Sequence, residues 1–484
     1  MKTLSLTLDK IFELAKKTLL ANGCDEETAG ILADLIMKAE RDGSLSHGLF
    51  RLPAYIFGLK SGKINGKARP EVKKISPSVI KVLGNNCLAP MVLNKGLPEL
   101  IKTAKENGVA VLAINNSHHM AAMWPETEAV AEEGLVAFAC TSYKPAVAPA
   151  GAIKPLFGTN PISFAWPRPG RTPVVFDMAT ASMAMGEVQV AKREGHKVPL
   201  GTGLTKEGKE TIDPAEIVDG GVLLPFGGYK GSGIAMMVEL LAGALVGDNF
   251  SFETAAKENG VAVLAITNSH HMAAMWPETE MVAEQGLVAF ACTSYKPAVA
   301  PAGATKPLFG TNPISFAWPR PGKMPVVYDM ATASMAMGEV QVAKREGHKV
   351  PLGTGLTKDG KETTDPGQIA DGGVLLPFGG YKGSGIAMMV ELLAGALVGD
   401  NFSFETAAKD NNDGGPPSGG EFILAISPEK ISGSGWDKHA DEFFNKMKSM
   451  EGVRLPGERR HKNRLDKGPR NINEELVNKI KSLS

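Results

Sequence analysis

Apolar residues near the start of the chain recur three and four apart. From Leu8 to Asn22 that spacing predicts a helix stopped by Gly23. Asp25 caps a second helix that runs to about Ala39, with Glu26 and Glu27 in its first turn. Pro98 opens a third, ending near Gly108. The pattern then changes to short β-rich runs: GVAVLAI, LVAFACTS, PISFAWP and PVVFDMA, each predicting a buried strand. Pro125 and Gly134 bracket a short helix, and Ser232 to Val246 reads as a buried one. Asn411 to Gly420 is a loop by composition, Phe422 to Ser427 a strand, and Asp437 to Met450 a helix. Asn473 caps a last helix. Strands and helices alternate irregularly, which predicts an α/β or α+β chain.

The middle of the pattern is written twice. Residues 105–256 and 257–408 align without a gap at an offset of 152 and differ at 12 positions, among them Asn115/Thr267, Ile153/Thr305, Phe176/Tyr328 and Glu216/Gln368. Solenoid units are roughly 20–50 residues, so a unit of this size repeated once is a duplicated domain. The stretches at Thr103–Asn107, Thr254–Asn259 and Thr406–Asn411 resemble one another, as unequal recombination would leave them. The expected organisation is a front segment 1–104, two modules at 105–256 and 257–408, and a back segment 409–484.

Composition narrows the class. Lys+Arg and Asp+Glu balance at 52 each, which argues against a broad nucleic-acid or anionic-membrane surface. No apolar run is long enough to span a membrane, and the N-terminus lacks the apolar block of a signal peptide. Of four cysteines, Cys140 and Cys292 are one repeated position, and none has disulfide or metal spacing. A reducing cytoplasm is expected.

Few residues carry candidate chemistry. No G-x-G-x-x-G follows the first strand of either repeat, so a Rossmann site is not supported. GGYKGSG, at Gly227–Gly233 and again at Gly379–Gly385, leads into a buried helix and is either a phosphate cradle or a tight loop. His47 and Arg51 stand four apart, a pair suited to a small anionic substrate or two unrelated surface residues. Asp177 and Asp329 close apolar strands, where a carboxylate either orients a histidine or caps the next turn. His118-His119 lacks a carboxylate or cysteine at metal spacing, so no metal is expected. Leu455 to His461 is a basic cluster, solvated or gripping a phosphate.

Taken together, SHGLFRLPAY, NSHHMAAMWP, KPLFGTNPISFAWP, VVFDMATASMAMG, LLPFGGYKGSGIAMMVELLAGAL and LPGERR resemble, in this order, the malate/L-lactate dehydrogenase-like family. The wording is most similar to its Δ1-piperideine-2-carboxylate/Δ1-pyrroline-2-carboxylate reductases, over nearly the whole chain once one repeat is removed. The resemblance implies a mixed α/β fold with a largely antiparallel sheet, a non-Rossmann NAD(P)-binding domain, and a helical outer lobe built from both chain ends. It implies a homodimer and NADPH, with NADH possible, acting on a small anionic cyclic imine. His47 would be the proton donor, with Ser46 and Asp177 (or Asp329) as its relay. Arg51 and Thr159 (or Thr311) would hold the substrate. The cofactor would lie along His119, Met120, Ala121, Ala122 and Met123, then Asp177, Met178 and Ala179, then Tyr229 and Lys230. It would end on Leu455, Pro456, Gly457, Glu458, Arg459, Arg460 and His461, with His271, Met272 and Lys382 as second-repeat equivalents. Met120 stands where related reductases often carry phenylalanine.

Reduction of a 2-oxo acid by the same groups is one alternative reading, and a catalytically silent binding or assembly protein is another. His47, Arg51 and LPGERR occur once, so one complete centre per chain is expected. Phe176 and Glu133 lean toward the first repeat as its host.

Overall fold

The protein is described here by a computed structural model covering residues 5–118, 122–142, 145–244, 260–269, 274–294, 296–409, 419–431, 435–456 and 458–465. The front segment opens with α1 (Leu8–Ala21) and α2 (Glu26–Arg41). Thr7 and Asp25 cap them, Asp25 accepting from the Thr28 amide at 2.9 Å. Ile11, Ala15 and Leu19 of α1 share one core cluster with Leu32, Ala33 and Ile36 of α2, as the apolar spacing predicts. Then come two 3-10 turns (Leu45–His47 and Leu49–Arg51), α3 (Leu52–Lys60), the hairpin β1 (Glu71–Ser76) and β2 (Val79–Leu83), and α4 (Ala89–Asn107). Pro98 lies inside α4 rather than at its start. The helix begins at Ala89-Pro90, where a missing amide is harmless, and packing carries it past Pro98. At Gly96 an added Cβ would lie 3.1 Å from Leu112 and 3.3 Å from Val82.

The first repeat follows as β3 (Val111–Asn115), α5 (Trp124–Glu132), β4 (Ala137–Cys140), β5 (Ile162–Trp166), β6 (Val174–Met178) and α6 (Met185–Glu194). A small sheet of β7 (Gly203–Leu204), β8 (Glu210–Thr211) and β9 (Val222–Leu223) surrounds α7 (Pro214–Val218), and α8 (Tyr229–Glu239) runs into a π turn at Leu240–Ala244. The glycine-rich stretch is thus the first turn of α8, which begins three residues before the expected Ser232. At Gly231 an added Cβ would meet the Phe226 carbonyl oxygen at 1.9 Å, so only glycine lets the chain turn in there.

The second repeat gives β10 (Val261–Ser269), α9 (Trp276–Glu284), β11 (Val288–Thr293), β12 (Ile314–Trp318), β13 (Val326–Met330) and α10 (Met337–Glu346). Next are β14 (Gly355–Leu356), β15 (Glu362–Thr363), α11 (Pro366–Ala370), β16 (Val374–Leu375), α12 (Tyr381–Glu391), a π turn at Leu392–Leu397 and α13 (Ser403–Lys409). The back segment supplies β17 (Gly419–Ile426), α14 (Pro428–Ile431), α15 (Trp436–Lys448) and α16 (Glu458–Leu465). Gly419 and Gly420 therefore start a strand rather than end a loop. The helix expected after Asn473 lies outside the described residues.

The fold is mixed α/β with small, mostly antiparallel sheets. The exception is β2, which pairs in parallel with β3, Val79 opposite Val111. Copies of one sequence sit in different surroundings. In the second repeat the order is β10-β17-β11-β12-β13, with β17 paired on both sides. In the first repeat β4-β5-β6 forms a three-stranded sheet separate from β1-β2-β3.

The repeats pack against each other reciprocally. Phe226 and Phe378 stack with centroids 5.2 Å apart. An added Cβ at Gly227 would lie 2.6 Å from the Phe378 ring, and one at Gly379 would lie 2.6 Å from Phe226. The Tyr328 hydroxyl donates to the Met237 sulfur at 3.3 Å. This is the self-complementary contact of a two-fold pair, made within one chain. Among the described residues, no helix is long and apolar enough to cross a membrane.

Candidate active site

The tight turns after α2 present Ser46, His47 and Arg51 together. Leu49 donates its amide to Glu40 Oε1 at 2.8 Å, and Arg51 Nε donates to the Ser46 carbonyl oxygen at 2.8 Å. His47 Nδ1 lies 3.1 Å from Ser46 Oγ and 3.2 Å from Ser44 Oγ. Ser46 thus sets a hydroxyl beside the imidazole, and Ser44 is a second hydroxyl that pattern reading missed. Burial, and then the Arg51 charge, lower the His47 pKa to about 4. The free protein therefore holds a neutral imidazole.

This group docks on the first repeat. At Gly186, in the first turn of α6, an added Cβ would lie 2.8 Å from Arg51 Nη2 and 3.1 Å from Ser46 Cβ. At Gly338, the same position in the second repeat, nothing lies within 4 Å. Arg193 of α6 and Arg51 each sit 5.6 Å from the centre of the Phe50 ring.

Asp177 holds two backbone amides. Its Oδ2 accepts from the amides of Met123 at 2.7 Å and Trp124 at 3.1 Å, fixing the start of α5. Asp329 does the same for Met275 at 2.8 Å and Trp276 at 3.1 Å. The amides lie 54 and 53 residues back along the chain, so the carboxylate caps α5 rather than the turn after its own strand, and among the described residues no hydrogen bond joins Asp177 to His47. Burial raises the Asp177 pKa, and the two amides oppose that. Beside it, burial and then Asp177 push buried Glu126 up to about 8, and its Oε2 finds no partner among the described residues.

Thr159 is half-buried, and its carbonyl accepts from the Thr180 amide at 2.8 Å. Its neighbour Asn160, at a positive φ of 39°, donates to Ala235 O at 3.0 Å and Glu239 Oε1 at 2.8 Å. That anchor ties the loop to α8 and was not read from the sequence. Thr311 and Asn312 repeat the arrangement.

The lysines cross over. Lys382 Nζ, from the second repeat, donates to Ala179 O at 2.9 Å and also to Ala181 O. Lys230, from the first, donates to Ala331 O at 2.8 Å and also to Ala333 O. Each is buried, and burial lowers its pKa to about 8. Tyr229 and Lys230 therefore do not join Asp177 to Ala179, as a single-repeat reading has it. Tyr381 and Lys382 do, because the two-fold packing carries each helix start across to the other repeat.

The back segment makes its own contacts. His461 Nε2 lies 2.9 Å from Glu280 Oε1 in the second repeat, both largely buried. Arg459 acts electrostatically on Tyr229. Leu455 is buried, and its amide donates to Glu458 Oε2 at 3.1 Å. The basic cluster thus opens a helix that touches the second repeat through His461 and acts on Tyr229 of the first through Arg459. Ala122, Met123 and Met178 are buried, Ala179 half-buried. His119, Met120, Ala121, His271, Met272 and Gly457 lie outside the described residues, as does the side chain of Arg460. These contacts outline two half-sites: in one the Ser46–Arg51 turn lies against Gly186 and Lys382 holds Ala179 and Ala181; in the other Lys230 holds Ala331 and Ala333 and His461 meets Glu280.

Known proteins match the chain twice over. The sequence signature described as malate/L-lactate dehydrogenase matches residues 6–256 and again 252–481. A Δ1-pyrroline-2-carboxylate/Δ1-piperideine-2-carboxylate reductase of Pseudomonas syringae pv. tomato is 47% identical over 251 residues, 52% of this chain and 73% of that protein. One from Pseudomonas putida is 49% identical over 232 residues, 48% of this chain and 68% of that protein. The crystal structure of Δ1-piperideine-2-carboxylate reductase from Pseudomonas syringae pv. tomato aligns over 100% of both chains, at 28% identity and a TM-score of 0.44. The chain belongs to the malate/L-lactate dehydrogenase family of oxidoreductases.

Proposed function

We propose that this chain reduces a small cyclic imino acid, Δ1-piperideine-2-carboxylate or Δ1-pyrroline-2-carboxylate, to L-pipecolate or L-proline, with NADPH as hydride donor. The reaction centre is the half-site built from the front segment and the first repeat. The observation that carries this reading is the close fit of Arg51 and Ser46 onto Gly186, beside His47. The named activities of the two Pseudomonas relatives supply the substrate class.

The residues present suit a nicotinamide nucleotide. Lys382 uses two protons on the Ala179 and Ala181 carbonyls and keeps a third N–H, while Tyr381 exposes 70% of its surface beside it. Ala122, Ala179 and the lysine would line the cofactor on mixed sheets rather than on a Rossmann turn, and the lobe from the chain ends would cover it. When bound, the cofactor supplies a hydride to the imine carbon.

The chain's own groups do the rest. Arg51 binds the substrate carboxylate and fixes the imine in reach. That carboxylate offsets the Arg51 charge, one of the two causes holding the His47 pKa down. His47 then takes up a proton and passes it to the imine nitrogen, and the Ser46 and Ser44 hydroxyls hold the ring. Asp177 acts through the backbone, fixing Met123 and Trp124.

Following NADPH oxidation with Δ1-piperideine-2-carboxylate, pyruvate and oxaloacetate tests the reading. Turnover with the imine well above either oxo acid is expected. Preference for an oxo acid rejects the substrate class, and no oxidation with any of the three rejects the enzyme.

A further inference from the structure

The strand β17 has one place in the chain and two places that fit it. It pairs with Val261 to Ile266 and Ser269 of β10 on one side, and with Val288 to Thr293 of β11 on the other. Every one of these partner residues recurs unchanged 152 positions earlier, from Val109 to Ser117 and from Val136 to Thr141. There, β3 and β4 belong to separate three-stranded sheets, and among the described residues no strand lies between them. The edge of β4 is correspondingly open. Phe138 is 45% exposed and Cys140 half-buried, whereas Phe290 is half-buried and Cys292 fully buried.

Two further observations bear on movement. Glu421 of β17 is fully buried beside Glu278, with neither carboxylate oxygen partnered among the described residues. An unpartnered buried carboxylate weakens the hold of the second repeat on its strand. The other berth is also near. Lys81 Nζ donates to Ile431 O at 3.1 Å, just past the end of β17, and Lys81 pairs directly with Ala113 of β3. Ile426, Ile431 and Ala113 share one core cluster.

We propose that the back segment from β17 onward exchanges within one chain between two equivalent berths, β10/β11 of the second repeat and β3/β4 of the first. In the second arrangement Phe422 faces Cys140 instead of Cys292, and His461 meets Glu128 instead of Glu280. The move would exchange the His461 contact of α16 from the second repeat to the first, on whose Gly186 the His47 turn docks. The residues that pair with β17 are the same in both berths, so strand pairing by itself favours neither.

The exchange rests on strand pairing and not on the proposed reaction, so a cross-link tests it apart from activity. In full-length Phe422→Cys, cysteine 422 faces native Cys292 in one berth and native Cys140 in the other. Oxidation with diamide, followed by non-reducing peptide mapping, reads both. Both disulfides within single chains are the expected result. A link to Cys292 alone overturns the proposal. So does a link to Cys140 found only in disulfide-joined dimers, which would mean exchange between chains. If Phe422→Cys fails to fold, Ala425→Cys combined with Ala137→Cys reads the first berth and with Ala289→Cys the second, with the same outcomes deciding.

Discussion

Lys382 donates to the carbonyl of Ala179, 2.9 Å away and in the other repeat. Lys230 makes the mirror bond to Ala331 at 2.8 Å. The sequence around the two lysines is the same, so any difference between them in activity reports which half-site works. Lys382→Met is predicted to lower kcat/KM with imine substrate about 10- to 100-fold, and Lys230→Met less than about threefold. Both remove similar buried bonds and should lower stability alike, by about 1–3 kcal/mol. Equal kinetic losses at equal stability would show that both half-sites turn over.

Gly186 and Gly338 form a second matched pair. A methyl group at 186 meets Arg51 and Ser46, while one at 338 meets nothing within 4 Å. Gly186→Ala should therefore raise KM and lower kcat, because Arg51 is displaced from its substrate position. Gly338→Ala should behave as wild type. Steady-state kinetics on the two variants decide it, and an inactive Gly338→Ala would move the centre to the second repeat.

Much of this was legible in the chain. The helices α1 and α2 and the strand runs follow from local spacing, and the duplication from the gapless match at an offset of 152. What was not legible was partnership. Two nearly identical repeats offer the same local code, so sequence cannot say that Tyr229-Lys230 serves the second module or that His461 finds Glu280. Pro98 misled because the preference of proline for a helix's first turn is local, whereas the packing of Gly96 against Leu112 is tertiary. Asp177 holds the amides of Met123 and Trp124, a long-range contact that its place at a strand end does not encode.

Proton linkage at His47 follows from its environment. Its folded-state pKa, about 4, lies below the ordinary value near 6.5, so the unfolded chain binds the proton first as pH falls. The group favours folding above about pH 6.5, and that contribution is lost between about pH 6.5 and 4. His47→Gln should flatten the fall in stability across this window, measured by denaturant unfolding at several pH values. In turnover the acid-side pKa from kcat should lie above that from kcat/KM, because bound substrate offsets Arg51. Identical values would contradict that coupling.

The resemblance leads one to expect a homodimer. The reciprocal Phe226–Phe378 contact, however, satisfies a two-fold interface inside one chain. The protein is accordingly predicted to sediment at its chain mass of 51.1 kDa. A species of twice that mass at micromolar concentration would show that another surface pairs.

The central claim is that one histidine, His47, carries the proton chemistry for the whole duplicated chain. Measuring NADPH oxidation with Δ1-piperideine-2-carboxylate by the wild type and His47→Ala, alongside NADPH binding by fluorescence, tests it most directly. The account predicts a loss in kcat of at least about 100-fold with NADPH affinity changed less than about threefold. Undiminished turnover in His47→Ala would contradict it.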